Sequence, residues 1–176
     1  APFFYENGDD AVNYGAIGAV IGHEMSHGFD DQGRYFDKDG NMRDWWTPAD
    51  AEQFKRQTAL LVKQYGAFTA ADGTPVNGEL SLGENIADYA GLTIAYDAYR
   101  LSCQGRPAVA PIDGFPDGQR FFLSFAQLWR GKIRPEMLKR LIREDVHPWG
   151  EFRVNGAPFN VEAFYHEFDI RPGDKL

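Results

Sequence analysis

The clearest helical period in the chain runs over residues 13–27 (NYGAIGAVIGHEMSH), where Ile17, Val20, Ile21 and Glu24 recur three or four apart and carry an apolar stripe to a polar end. Glycines at 15, 18 and 22 each cost a helix about 1 kcal/mol relative to alanine, so close packing against another backbone is their expected cause. The pattern predicts a deeply buried helix. Thr47 and Pro48 supply an N-cap and a first-turn proline for a second helix reaching about residue 65, which reads as scaffold. Ser81-Leu-Gly-Glu84 has the spacing of a capping box and opens a third helix, through ENIADYAGLTIAYDAYRL to near residue 101. Further helices are expected over 119–130, 135–146 and 161–168. His147-Pro148 ends the second of these, because proline disfavours helical backbone in the residue before it. Strand signals are sparse, with short extended pieces expected near the N-terminus and around residues 30–45, where an irregular or hairpin segment fits around Asp39-Gly40. The segment 105–118 (GRPAVAPIDGFPDG) is the one long loop and is expected to divide two helical halves. The fold class is mainly α with minor strands, in one domain over residues 1–176.

Composition narrows the function classes. With 176 residues, 43% hydrophobic and 25% charged, the chain lies in the ordinary globular range. No apolar run approaches the roughly 18–20 residues that span a bilayer, and APFFYENGDD lacks a basic start, so the chain as given reads as soluble. A net charge of −8 removes long-range attraction to phosphate, and no nucleic-acid partner is expected. The single Cys103 reads as a free thiol at a helix end. A calcium loop at DKDGN fails, because counting from Asp37 the sixth and twelfth positions are Met42 and Pro48 rather than glycine and a carboxylate.

The chemistry concentrates in His23-Glu24-Met25-Ser26-His27. On a helix, residues four apart share a face, so both imidazoles reach one ion while Glu24 leans over the open coordination site, the geometry of a zinc hydrolase. A catalytic zinc takes three protein ligands and keeps a fourth position for water. Glu84 is the candidate third ligand, against its alternative as the capping partner of Ser81. Asp88, one turn later on the same face, can accept the spare ring proton of a ligating histidine.

These segments, with GHEMSHGFDD and LGENIAD in that order, resemble the neprilysin family of zinc endopeptidases, whose fold is similar to thermolysin. The resemblance covers nearly the whole chain: NYGAIGAVIGHEMSHGFDDQGRYFDKDGNMRDWWT, the QYG at 64–66, LGENIADYAGL, FFLSFAQLW and DVHPWGEFRVNG. It implies a thermolysin-like catalytic domain with one zinc per chain, held by His23, His27 and Glu84, and Glu24 as general base. It implies Asp30 and Asp88 as partners of the two histidines. It further implies that His147, held by Asp145, stabilises the tetrahedral intermediate and that Arg153 grips the substrate backbone. An apolar substrate pocket would fall on Phe3, Ala19, Val20 and Trp129. His166 has no motif around it and reads as structural.

By the same resemblance the substrates are short peptides cut on the amino side of a hydrophobic residue. The N-terminal half of the protein, a large helical domain with a substrate-binding edge strand, lies outside this sequence, as does a terminal tail. Arg130 stands where eukaryotic relatives carry a cysteine, which points to a bacterial-type member. An extracytoplasmic location (periplasmic, secreted or membrane-anchored) is favoured over a cytoplasmic one. The competing classes are a non-catalytic peptide-binding module and a helical structural protein with a chance motif. The second predicts no metal; the first has no need of Glu24, His147 and Arg153, all of which are present.

Overall fold

The computed structural model describes residues 3–175. Asp9 opens the first helix by accepting the Val12 N–H at 3.2 Å, so α1 (Asp10–Asn13) starts earlier than the apolar period suggests. The chain then passes through a π-helical turn (Tyr14–Gly18) directly into α2 (Ala19–Ser26). Thr47 caps α3 (Pro48–Gly66) through the Asp50 N–H, with Pro48 in its first turn as expected. The remaining helices are α4 (Leu82–Ser102), α5 (Asp117–Leu128), α6 (Pro135–Glu144), α7 (Gly150–Gly156) and α8 (Glu162–Glu167). Only α7 has no counterpart in the sequence reading. Seven residues beginning and ending in glycine carry too little periodicity to register.

Four local expectations change. The Ser81 capping box does not form: Ser81 Oγ donates to the Asn77 carbonyl and accepts from Asn85 Nδ2 at 3.0 Å. Asn77 instead caps the preceding turn, accepting the N–H groups of Glu79 and Leu80. Glu84 is thereby free of capping duty. The hairpin at Asp39-Gly40 is present as a single bridge between Phe36 and Met42, with Gly40 at φ 79° and Asp37 accepting from the Asp39 and Asn41 backbones. The expected extended piece near the N-terminus is a turn over the described residues, closed by the Gly8 N–H on the Tyr5 carbonyl. The loop over 105–118 does not divide the helices into halves, since α5 packs directly on α1 and the π turn.

One apolar cluster joins both sides of that loop: Ala11 and Ala19 meet Leu92, Ala95 and Tyr99 of α4, Phe121, Phe122 and Phe125 of α5, and Ala157 and Val161 near the C-terminus. A second, smaller cluster gathers Tyr65, Ala70, Val76, Ile142 and Phe152. Where α2 crosses α4, the two backbones are in direct contact. A Cβ on Gly22 would lie 2.9 Å from Gly91 Cα, and one on Gly91 would lie 2.4 Å from the His23 nitrogen. Gly15 answers the same demand against the Phe121 carbonyl, 2.1 Å from its notional Cβ, whereas Gly18 has only ordinary contacts beyond 3.5 Å.

These spacings predict opposite outcomes for two similar substitutions. Gly91→Ala should cost about 1–3 kcal/mol as the helices are forced apart, lowering the melting temperature by several degrees. Gly18→Ala, at φ −61°, should be neutral or stabilising by up to about 1 kcal/mol. Thermal unfolding of the two variants side by side checks the pair.

Candidate metal centre

The α2–α4 crossing sets two helix faces against each other. His23 and His27 are one turn apart at the end of α2, and Glu84 and Asp88 are one turn apart at the start of α4, so all four side chains meet beside the Gly22–Gly91 contact. His23 Nε2 lies 3.0 Å from His27 Nε2 and 3.3 Å from Glu84 Oε2, and His27 Nε2 lies 3.6 Å from Glu84 Oε1. Among the described residues these three form the group whose ligand atoms converge within 4.8 Å.

Each imidazole is held from behind by a carboxylate. His23 Nδ1 donates to Asp88 Oδ1 at 2.9 Å and His27 Nδ1 donates to Asp30 Oδ2 at 2.7 Å. A proton on each Nδ1 leaves each Nε2 with a bare lone pair, and both lone pairs face one another and the Glu84 carboxylate. Glu84 Oε2 is itself buried without a hydrogen-bond donor. Three electron-pair donors pointing at one spot fit a cation, whether a proton or a metal ion. With Zn–N and Zn–O bonds of about 2.0–2.2 Å, the edges of a tetrahedral site are about 3.3–3.5 Å, close to the separations here.

The electrostatics point the same way. Burial opposes charge on His23, but the hydrogen bond to Asp88 and the nearby Glu84 carboxylate outweigh it and push this imidazole up to about 9. Burial likewise disfavours the Asp88 and Glu84 carboxylates, yet their bonds to His23 and the nearby Arg153 charge hold both below the usual carboxylate range. Two buried carboxylates thus face one permanent cation, Arg153, and a second positive charge on His23, which a metal ion can replace.

Arg153 comes from α7 and is buried. Its Nε donates to Asp88 Oδ2 at 2.7 Å and its Nη2 to Asp88 Oδ1 at 2.6 Å, while the guanidinium lies 3.8 Å from the Trp129 ring centroid. The 3.4 Å approach of Nη2 to His23 Nδ1 joins two donors that share Asp88 Oδ1, and is a contact rather than a hydrogen bond. His147, exposed beyond the end of α6, is tied to Asp145 by both its backbone N–H and its Nδ1, and its Nε2 lies 3.4 Å from Glu84 Oε1.

A cavity of about 560 Å³ opens onto this group. Glu24, Asp145, His147 and Arg153 line it, as do all four residues expected for an apolar pocket, Phe3, Ala19, Val20 and Trp129. His27 and Asp30 stand behind the wall, and His166 is exposed on α8, 3.6 Å from Glu162. Sequence reasoning missed Phe125, Leu128, Leu141 and Trp149 in the lining. Phe125 and Leu128 share a helix face with Trp129, and Trp149 lies inside the DVHPWGEFR segment, so these three carried a signal; Leu141 reaches the wall only through tertiary packing.

The sequence profile of peptidase family M13 matches residues 1–176. Endothelin-converting enzyme 1 of Bos taurus is 45% identical over 178 residues, covering 100% of this chain and 24% of that protein, and human neprilysin is 46% identical over 174 residues, covering 97% and 23%. The crystal structure of the Mycobacterium tuberculosis zinc metalloprotease Zmp1 in complex with inhibitor superposes with a TM-score of 0.94 at 48% identity, covering 98% of this chain and 27% of that one. The chain therefore spans about a quarter of the length of the relatives it matches, and it belongs to peptidase family M13.

Proposed function

We propose that this chain is the metal-binding part of a zinc-dependent endopeptidase that hydrolyses short peptides on the amino side of a hydrophobic residue. One observation carries the reading: two Nδ1-anchored imidazoles and an unpartnered carboxylate converge on one spot, beside a cavity that holds a further carboxylate, Glu24. His23, His27 and Glu84 hold the ion, and Asp88 and Asp30 orient the two rings. Zinc supplies Lewis-acid polarisation of the scissile carbonyl and of the attacking water.

Glu24 takes the proton from that water and delivers it to the leaving amine, acting first as base and then as acid. Its exposure at the cavity wall, next in sequence to a ligand, supports this role. His147 is aimed by Asp145 across the cavity toward Glu84, where a donor stabilises charge developing on the carbonyl oxygen. Arg153 keeps Nη1 free of hydrogen bonds among the described residues, which leaves it for a peptide carbonyl. Phe3, Ala19, Val20 and Trp129, with the Phe125, Leu128 and Leu141 wall, receive the apolar side chain. The far longer relatives support a further part of the protein that completes the groove. The extracytoplasmic location favoured by the resemblance belongs to the same proposal; among the described residues no helix is long and apolar enough to cross a membrane.

Three outcomes test this reading. Purified protein should carry about one zinc per chain by elemental analysis after gel filtration, and Glu84→Ala should lose it; folded wild type without zinc would refute the ligand set. In the complete protein Glu24→Gln should keep the metal and lose about 10²–10⁴-fold in peptide turnover, with wild type preferring apolar residues after the cut. Retained turnover would remove Glu24 as the base.

The third outcome concerns pH. In the metal-free site a proton occupies His23 below about pH 9, and zinc must displace it. Zinc affinity should therefore rise about tenfold per pH unit from neutral pH up to that value and level off above it. Chelator competition at several pH values checks the slope, and a flat profile would show that no proton is released from this site.

A further inference from the structure

Helix α3 contributes no side chain to the metal group or to the cavity, and its sequence reads as scaffold. Its last turn nevertheless reaches α7, the helix that carries Arg153. Gln64 Nε2 donates to the Gly156 carbonyl at 3.2 Å, across 92 residues of sequence. Asn160 Nδ2 donates to the same carbonyl at 3.0 Å and to Gln64 Oε1 at 2.9 Å. The two amides and the carbonyl form a closed triangle at the C-terminal end of α7, where helix carbonyls lack partners of their own. Beside it, the fully buried Tyr65 ring presses on Gly156 so closely that a Cβ there would sit 2.3 Å from Tyr65 Oη.

The placement has a consequence for the site. A helix of seven residues does not hold itself together, so α7 lies where its neighbours put it. At its start, Gly150 packs on the Trp129 carbonyl, and in its middle Phe152 enters the smaller core cluster. At its end, α3 sets both its distance, through Tyr65 on Gly156, and its rotation, through Gln64 on the Gly156 carbonyl. Arg153 is one turn away, and the Ala157 N–H bonded to the Arg153 carbonyl at 3.1 Å links it to the clamped end. The bidentate grip on Asp88, at 2.6 and 2.7 Å, tolerates little displacement.

We infer that Gln64, Tyr65 and Asn160 are positioning residues for the metal centre: they clamp Gly156 and thereby hold Arg153 on Asp88, the carboxylate that orients His23. The functional meaning of this rests on the zinc reading above, but the placement of Arg153 does not.

The test uses Gln64→Met, which keeps the size of the side chain and removes its amide. In the chain labelled with 15N-arginine, the Arg153 Nε–H should exchange with water roughly fivefold faster than in wild type, the loss of about 1 kcal/mol at 1.4 kcal/mol per tenfold. Zinc affinity should fall about threefold, less than the 10-fold or more typical of a group bonded directly to a ligand. Phe164→Leu, on α8 and outside both the cavity lining and the clamp, serves as a variant of lowered melting temperature and should move neither readout. A second variant, Gln64→Glu, still accepts from Asn160 but cannot donate to Gly156, and should likewise speed Arg153 exchange. Unchanged Arg153 exchange in Gln64→Met, or equal acceleration in Phe164→Leu, would overturn the inference. Wild-type protein that binds no zinc while Arg153 exchange still responds to Gln64→Met would overturn the functional reading and leave the clamp standing.

Discussion

Everything at the site depends on how closely two helix backbones approach. Because Gly22 and Gly91 have no side chains, α2 and α4 touch main chain to main chain, and the residues flanking that contact are brought together in register. His23 follows Gly22 directly, and Asp88 precedes Gly91 by one turn, so the pair that meets at 2.9 Å is fixed by the crossing itself. Glu84 and His27, one turn further out on each helix, close the group. A bulkier residue at the crossing would separate all four side chains at once, which is why a packing constraint here is also a chemical one.

The carboxylates behind the histidines turn this proximity into a defined donor set. An unanchored imidazole has two tautomers and a free ring flip, whereas a ring whose Nδ1 is tied to Asp88 or Asp30 presents only Nε2. Burial makes the arrangement demanding: Asp88 is nearly inaccessible to water, and its charge is tolerated because His23 and Arg153 both donate to it. The exposed His147 and Glu24, by contrast, stand at the cavity wall where groups that meet a passing ligand belong.

Much of this was legible in the chain before its structure, for physical reasons that differ by residue. The His23–His27 pairing follows from helical spacing alone, and Asp88 from the same rule applied to Glu84. Thr47 and Pro48 mark the start of α3 because capping is a local interaction. Ser81 misled for the same reason: its spacing to Glu84 fits a capping box, but Asn77, four residues earlier, takes the capping role. Gly18 and Gly22 look alike in sequence, and only the position of α4 distinguishes the one that is required. α7 and the place of Leu141 in the cavity wall could not be read, since a seven-residue helix and one side chain of α6 are set in place by distant partners.

Asp88 accepts hydrogen bonds from both His23 and Arg153. Whatever draws electron density from one of its oxygens is felt at the other, so, on the proposed function, a cation on the imidazole and a carbonyl on the guanidinium would be thermodynamically linked. Linkage of this kind is reciprocal: if occupying the guanidinium strengthens or weakens cation binding by some factor, the cation changes the other affinity by the same factor. A single buried carboxylate thus ties the imidazole of α2 to the guanidinium of α7.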